Sequence, residues 1–197
     1  MNKHWYEASI ISEAISDPYV GSAGELVDVP TPYHLMLGEE VHEWTGQAWV
    51  QPSTPDDDGD PEDVLQTRFY LPIYSKRLQN ELSHVDITDM QYLPLHVRHY
   101  DGAEIAGFAI ANVLDNVAAF DFQRSRYRRY PDDYFMESKR NALFSIQEAV
   151  LRSDAIAGRN IVRLQEFRSS IFVSELFVSI FTKNQFTGYS FSEVEIS

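Results

Sequence analysis

The sequence predicts an α+β fold, an antiparallel-rich sheet with a few short helices, containing two similar β-α-β units. Most of its readable segments predict strands, and predicted helices are few. The hydrophobic fraction of 44%, with 12 Phe and 11 Tyr, indicates a folded chain. Residues 71–95 also align without a gap on residues 170–194, at a constant offset of 99 positions.

This internal alignment predicts one structural unit used twice. LPIYSKRLQNELSHVDITDMQYLPL matches SIFVSELFVSIFTKNQFTGYSFSEV, with apolar residues facing apolar residues at nearly every position typical of a core. A match over about 25 residues at one offset is the mark of a repeat. The alternative is chance similarity between two ordinary β-α-β segments.

Each copy predicts a strand, a helix and a second strand. A short apolar run leads to Ser75 or Ser174, and serine is a favoured helix N-cap because its hydroxyl accepts from an unpaired helical N–H. Apolar residues four positions apart then predict a short amphipathic helix. The second strands are expected at 91–99 and 189–196. In the second copy we expect four core residues: Phe172, Leu176, Phe181 and Phe191.

The rest of the chain predicts strands and loops around these units. We expect residues 1–64 to form a variable N-terminal segment that is packed on or precedes a core domain at 65–197. The whole chain is expected to form one globular unit. Six of the thirteen residues at 51–63 are Asp or Glu, which predicts an acidic loop. Further strands are expected near 105–114 and at 142–151 and 161–165.

The charge balance excludes some partners and favours others. Sixteen basic residues stand against thirty acidic ones, a net charge of −14, so the chain repels nucleic acids and anionic membranes and attracts cationic partners. The alternative is that acidity only keeps the protein soluble.

The absence of cysteine excludes disulfides and thiolate chemistry. Without a signal-peptide pattern or a membrane-length apolar run, the expected location is the cytoplasm.

The search for catalytic or metal-binding residues predicts no enzyme, no metal and no cofactor. The acidic loop fails as an EF-hand, because placing Gly59 at position 6 puts Thr54 first and Leu65 twelfth. Asp115 and Asp121 flank a strand-like stretch, and paired carboxylates suggest the alternative of a metal-dependent hydrolase. Strand-end capping is the favoured interpretation of both.

Internal ion pairing is the expected role of a basic cluster interleaved with tyrosines: Arg124, Arg126, Arg128 and Arg129.

Five short motifs resemble those of the Imm11 family of bacterial immunity proteins, formerly DUF1629. They are an Asn-Val pair followed by an Asp, an Asp-x-x-x-Ser step, an I-F-R-L-like strand, a V-S-E helix start and a terminal G-x-x-F. In this sequence they fall on Asn112, Val113 and Asp121, on Ser125, on 161–164, on 173–175, and on Gly188 with Phe191. The resemblance covers about residues 65–195. Ala109-Ile110-Ala111 replaces the family's frequent aromatic pair, which bears on packing.

The resemblance implies a non-enzymatic protein that binds and neutralises a cognate toxin of a polymorphic toxin system. The shared motifs are apolar strands, caps and turns, so a toxin-specific contact is expected outside them. We expect it in the acidic loop and against a basic toxin surface, with four candidate residues: Asp56, Asp57, Asp58 and Asp60. A homodimer through an exposed sheet edge is a further expectation.

Overall fold

The fold was analysed in a computed structural model that describes residues 4–11, 23–27, 32–51, 61–67, 71–98 and 102–197. As predicted, it is a mixed α+β structure with mostly antiparallel sheets. The strands are β1 (Trp5–Ile10), β2 (Ala23–Val27), β3 (Trp49–Gln51), β4 (Val64–Thr67), β5 (Pro72–Tyr74), β6 (Met90–Pro94), β7 (His96–Arg98), β8 (Glu104–Ile105), β9 (Ala109–Val113), β10 (Asn116–Val117), β11 (Arg126–Arg129), β12 (Leu143–Glu148), β13 (Val150–Leu151), β14 (Ile161–Leu164), β15 (Ile171–Ser174) and β16 (Tyr189–Ile196). The helices are α1 (Pro32–Met36), α2 (Lys76–His84), α3 (Ser153–Ile156) and α4 (Glu175–Lys183).

Two large sheets and one two-stranded ribbon contain the described strands. The order of the first sheet is β10-β14-β15-β1-β16-β13, and that of the second is β6-β9-β5-β4-β2-β3-β7-β8. Strands β11 and β12 pair only with each other among the described residues. The strand expected near 105–114 is divided, because β8 and β9 belong to different parts of the second sheet.

The two aligned segments show the same order of elements. The first contains β5, α2 and β6, and the second contains β15, α4 and β16. In neither segment are the two strands neighbours. Strand β9 lies antiparallel between β5 and β6, and β1 lies antiparallel between β15 and β16. Each segment therefore depends on a strand from elsewhere in the chain, which the alignment did not predict. The superposition of residues 71–97 on 170–196 stays a prediction.

Both helices begin at the predicted serine, and each serine is held in the same way. The Ser75 hydroxyl accepts from the N–H of Leu78, and the Ser174 hydroxyl accepts from the N–H of Phe177. The Ser75 N–H donates to the carbonyl of Asp63 at 2.8 Å, and its hydroxyl donates to the Asp63 carboxylate at 2.6 Å. The corresponding distances from Ser174 to Asn160 are both 2.9 Å.

The ends of the two helices also correspond. Asp86 and Gln185, which are 99 positions apart, both have positive φ, at 56° and 53°. The next residue in each copy returns a backbone hydrogen bond to the last turn of its helix, at 3.1 Å from Ile87 and 3.0 Å from Phe186. A hydrogen bond of this kind satisfies a carbonyl that the helix leaves without a partner. The serine caps and these C-terminal turns are the positions where the two copies agree in detail.

The helices pack against each other inside a core that both segments share. Leu78 and Leu82 of α2 and Phe177 and Phe181 of α4 are buried in one cluster. The predicted core residues Phe172 and Phe181 are buried, and Phe191 packs partly buried against that cluster. The prediction for Leu176 is wrong, since its side chain is 39% exposed. The inward face of α4 carries Phe177, Ile180 and Phe181, so Leu176 lies about 100° away from Phe177 around the helix.

A small polar cluster of three tyrosines and an arginine lies within the interior. The hydroxyls of Tyr74 and Tyr189 are 3.1 Å apart, and both side chains are buried. Burial, with a smaller contribution from neighbouring Tyr189, raises the pKa of Tyr74 well above its ordinary value. Burial likewise raises the pKa of Tyr92 and Tyr189. Arg163 is 2% exposed and donates to the carbonyls of Met36 and Arg168 at 3.2 and 3.3 Å.

The raised tyrosine pKa values predict that stability falls at alkaline pH. An unfolded tyrosine releases its proton near pH 10, whereas a folded one with a raised pKa keeps it, so the folded state binds more protons there. Each such tyrosine then lowers the free energy of unfolding by about 1.4 kcal/mol per pH unit above pH 10. Urea unfolding between pH 8 and 11 measures this slope.

Tyr92→Phe isolates one of these tyrosines. Among the described residues the buried Tyr92 hydroxyl has no hydrogen-bond partner, so its removal should leave stability at pH 7 nearly unchanged. It should reduce the alkaline slope by about 1.4 kcal/mol per pH unit. Tyr74→Phe is the comparison, because it also removes the hydrogen bond to Tyr189. An alkaline slope identical to that of the unsubstituted protein would contradict the assignment.

Gly188 occupies a position that only glycine fits. Its φ is +101°, and an added Cβ would lie 2.3 Å from the backbone oxygen of Val64. The N–H of Ile11 also donates to the Gly188 carbonyl at 3.1 Å, so this turn contacts both β1 and β4. The terminal G-x-x-F motif therefore marks a close approach of two backbones.

Gly188→Ala is predicted to destabilise the fold by about 3 kcal/mol, because the methyl group adds backbone strain and a clash with Val64. Gly158→Ala is the matched control, since Gly158 has a positive φ of +77° with nothing near an added Cβ. The control should cost about 1 kcal/mol from strain alone. Urea unfolding compares the two, and equal losses would show that the contact with Val64 is unimportant.

Candidate protein-interaction surface

The four aspartates expected to contact a partner, Asp56, Asp57, Asp58 and Asp60, lie outside the described residues. The structure therefore does not place the predicted acidic loop. Its last two acidic residues, Glu62 and Asp63, are described, and Asp63 is 6% exposed. Because Asp63 is buried and hydrogen-bonded, it belongs to the scaffold rather than to a contact surface.

Asp115 and Asp121 have separate structural partners. Asp115 forms an ion pair with Arg159 at 2.6 Å. Asp121 accepts from the N–H groups of Gln123 and Arg124 at 2.9 and 3.2 Å, which caps a turn. Within the described ranges, no group of three His, Cys, Asp or Glu side chains is placed to hold a metal ion. The capping interpretation agrees with the geometry of Asp121.

The basic cluster is only partly used for internal ion pairs. Arg124 pairs with Glu195, and Arg126 pairs with Glu148 at 2.6 Å. Arg129 instead lies over the rings of Phe122 and Tyr127, at 4.7 and 5.3 Å from their centroids. In the part of the chain that the structure describes, Arg128 and Arg129 form no ion pair. The expected internal pairing thus holds for the first two arginines of the cluster.

The cluster belongs to a two-stranded ribbon formed by residues 121–148, called the ribbon below. Strands β11 and β12 form its two sides, and residues 130–142 form its tip. The pairing shifts twice, so Phe144 and Gln147 of β12 are extra residues opposite β11. Such bulges turn side chains in new directions and increase the twist of a ribbon. Between residues 121 and 148 the only buried residue is Leu143.

The ribbon exposes large apolar side chains. Phe135 is 80% exposed, Phe144 52%, Met136 40% and Phe122 38%, and they account for four of the six exposed large hydrophobic residues on the described surface. Contiguous exposed apolar residues mark interaction sites, whereas single ones are ordinary. The sequence pattern did not reveal this surface, because its arginines predicted a cluster of internal ion pairs and the aromatic residues beside them were not interpreted. The available signal was the run YPDDYFM at 130–136, which is rich in aromatic residues yet matches neither helical nor strand spacing.

The tip is held in shape by ring contacts and backbone hydrogen bonds. The ring centroids of Tyr130 and Tyr134 are 4.5 Å apart, as are those of Tyr134 and Phe135. Tyr130 lies 5.0 Å from Phe144 across the ribbon. Arg140 donates through Nε to the carbonyl of Tyr134 at 3.0 Å. The exposed rings are therefore presented by an ordered tip, which lowers the conformational entropy lost on binding.

The base of the ribbon is fixed to the first sheet. The N–H of Val150 donates to the Ser125 hydroxyl at 2.9 Å, and the N–H of Asp121 donates to the Val150 carbonyl at 2.9 Å. Val150 also belongs to β13, which pairs with β16. Asp121 and Ser125 are the two residues of the Asp-x-x-x-Ser motif. This motif therefore anchors the ribbon rather than contributing to a reactive site.

A comparison with models of known protein families assigns the chain to one of them. The model of the immunity protein family Imm11 matches residues 24–196. The chain belongs to the Imm11 immunity protein family. The match begins 41 residues before the resemblance seen in the sequence, which began at about residue 65. A search of curated proteins gives no match.

The motifs of this Imm11 protein perform structural tasks. Asn112 is fully buried and donates to the Glu39 carbonyl at 2.7 Å. Ser174 caps α4, Gly188 permits the contact with Val64, and Ser125 anchors the ribbon. Across the described residues, no helix is long and apolar enough to cross a membrane.

Proposed function

We propose that this Imm11 protein binds the active domain of a cognate bacterial toxin and neutralises it by direct contact. The family match carries the proposal, because immunity proteins act on toxins. The ribbon supports it, since exposed aromatic side chains on an ordered support are typical of protein-binding surfaces. The protein acts in the cytoplasm, against a toxin delivered by a system such as type VI secretion. No observation favours the metal-dependent hydrolase.

The net charge of this protein supports a toxin partner that has a basic surface. The chain carries −14, and opposed charges accelerate encounter and exclude wrong partners. Toxins that cut nucleic acids or bind nucleotides need basic clefts to hold phosphates. Asp56, Asp57, Asp58 and Asp60 remain the proposed acidic contacts. The family match includes their positions, so they do not lie outside the family region as the sequence suggested, and charge alone supports them.

A rescue experiment tests the proposed function. The toxin domain encoded beside this gene is induced in a laboratory bacterium with or without this protein, and survival is counted. Protection should depend on the pairing, so a toxin from an unrelated locus serves as the control. Purified protein should also bind an inactivated variant of the same toxin domain. Neither protection nor binding with the neighbouring toxin would contradict the proposal.

The association rate should depend on salt and on the acidic loop. Replacing Asp56, Asp57, Asp58 and Asp60 with Asn should slow association about tenfold at low salt, because steering is lost. At physiological ionic strength, screening acts over about 8 Å, so the two proteins should then differ much less. Surface plasmon resonance at several salt concentrations measures both rates. An unchanged association rate would remove these residues from the proposal.

A further inference from the structure

The ribbon tip combines exposed apolar side chains with a local excess of negative charge. Residues 131–137 read PDDYFME and contain three carboxylates and no basic residue. Asp132 and Asp133 are exposed, and the Glu137 side chain is 89% exposed. In the sequence these carboxylates flank Phe135 and Met136, which are the exposed large hydrophobic residues of the tip. The basic residues of the ribbon lie outside this segment in the sequence, at 124–129 and 139–140, and Arg140 lies 3.9 Å from the Glu137 carboxylate.

We propose that residues 131–137 insert into a cationic cleft of the toxin domain, with Phe135 as the apolar anchor. This inference rests on the proposed function and assigns it a second contact surface besides the acidic loop. Aromatic anchors at the centre of an interface carry much of its binding energy, whereas surrounding charges set the partner and the encounter rate. The cleft that fits the tip has an apolar floor and a rim of Lys or Arg.

Charge complementarity identifies the occupant. A second copy of this chain would bring another −14 against the acidic tip, which is repulsive. A toxin domain that holds phosphates in a basic cleft presents the opposite charge to the three carboxylates. The ring contacts of Tyr134 with Phe135 and Tyr130 keep the tip ordered before binding. Residues 131–137 thus combine three carboxylates with an exposed aromatic side chain, and a basic cleft that binds phosphates and stacks bases can accommodate both.

Two sets of variants separate the anchor from the charges. Phe135→Ser removes the anchor, and its fold should persist because the side chain is 80% exposed. Leu176→Ser is its control, an exposed apolar residue on α4. Asp132→Asn, Asp133→Asn and Glu137→Gln together remove three charges from the tip. Their control removes three exposed charges elsewhere, with these substitutions: Glu40→Gln, Glu43→Gln and Asp154→Asn.

Surface plasmon resonance with the inactivated toxin domain gives the two rates, and circular dichroism checks the fold of every variant. Phe135→Ser should accelerate dissociation by about 30-fold or more, as expected for a binding hot spot. The triple neutralisation should mainly slow association and weaken its salt dependence. Both controls should retain the rates of the unsubstituted protein.

The outcomes distinguish this inference from the proposed function. If the unsubstituted protein binds the toxin and the tip variants bind equally well, the tip is not the contact and the proposed function still stands. If the unsubstituted protein neither binds nor protects, both fail. Light scattering adds a third outcome: a dimer that Phe135→Ser converts to a monomer would assign the tip to self-association and overturn the inference.

Discussion

The arrangement of the two aligned segments, residues 71–95 and 170–194, depends on the buried carboxylate of Asp63. It accepts the Ser75 hydroxyl at 2.6 Å, Arg77 Nη2 at 2.6 Å and the N–H of Thr187 at 3.1 Å. It therefore joins the beginning of β4, the first turn of α2 and the turn before β16. A buried carboxylate of this kind is stable only when such partners surround it, so the three segments must come together for any of them to be satisfied.

This requirement explains why the two aligned segments form one cooperative core. Each segment lacks one strand of its sheet and receives β9 or β1 from elsewhere, so neither can satisfy its backbone alone. The turn of the second segment contacts Asp63, which lies before the first segment and binds its capping Ser75. Asn160, which lies before the second segment and binds its capping Ser174, donates through its N–H to Asp89 of the first. Burial raises the pKa of Asp89, and the charge of nearby Asp115 raises it further, whereas Arg159 and that N–H act in the opposite direction. The contacts between the segments are thus reciprocal.

The helices and their N-caps could be predicted because they depend on residues close together in the sequence. The pairing of strands that are distant in the sequence could not. Ser75 and Ser174 could be assigned from sequence because an N-cap depends on residues within one turn. The position of β1 between β15 and β16 could not, since it joins residues 5–10 to residues 171–196 and no local pattern encodes that pairing. Leu176 was misplaced because it begins a run of three apolar residues, Leu176 to Val178, and a short helix of nine residues gives little information on its phase. The ribbon was missed as a surface because residues 130–142 become a tip only through the pairing of β11 with β12, whose two register shifts no local pattern encodes.

The division between scaffold and surface follows from where the motifs lie. Asn112, Ser174 and Gly188 satisfy buried groups or close contacts, and each would be costly to change. The ribbon tip has the opposite character, because most of its side chains are exposed and its backbone hydrogen bonds join residues within the tip itself. Substitutions there cost little stability, so its residues are free to match one particular partner. An immunity protein needs this combination, since a common fold must present different surfaces to different toxins. Asp121 and Ser125 connect the two parts: the motif that belongs to the scaffold is also the one that fixes the ribbon in position.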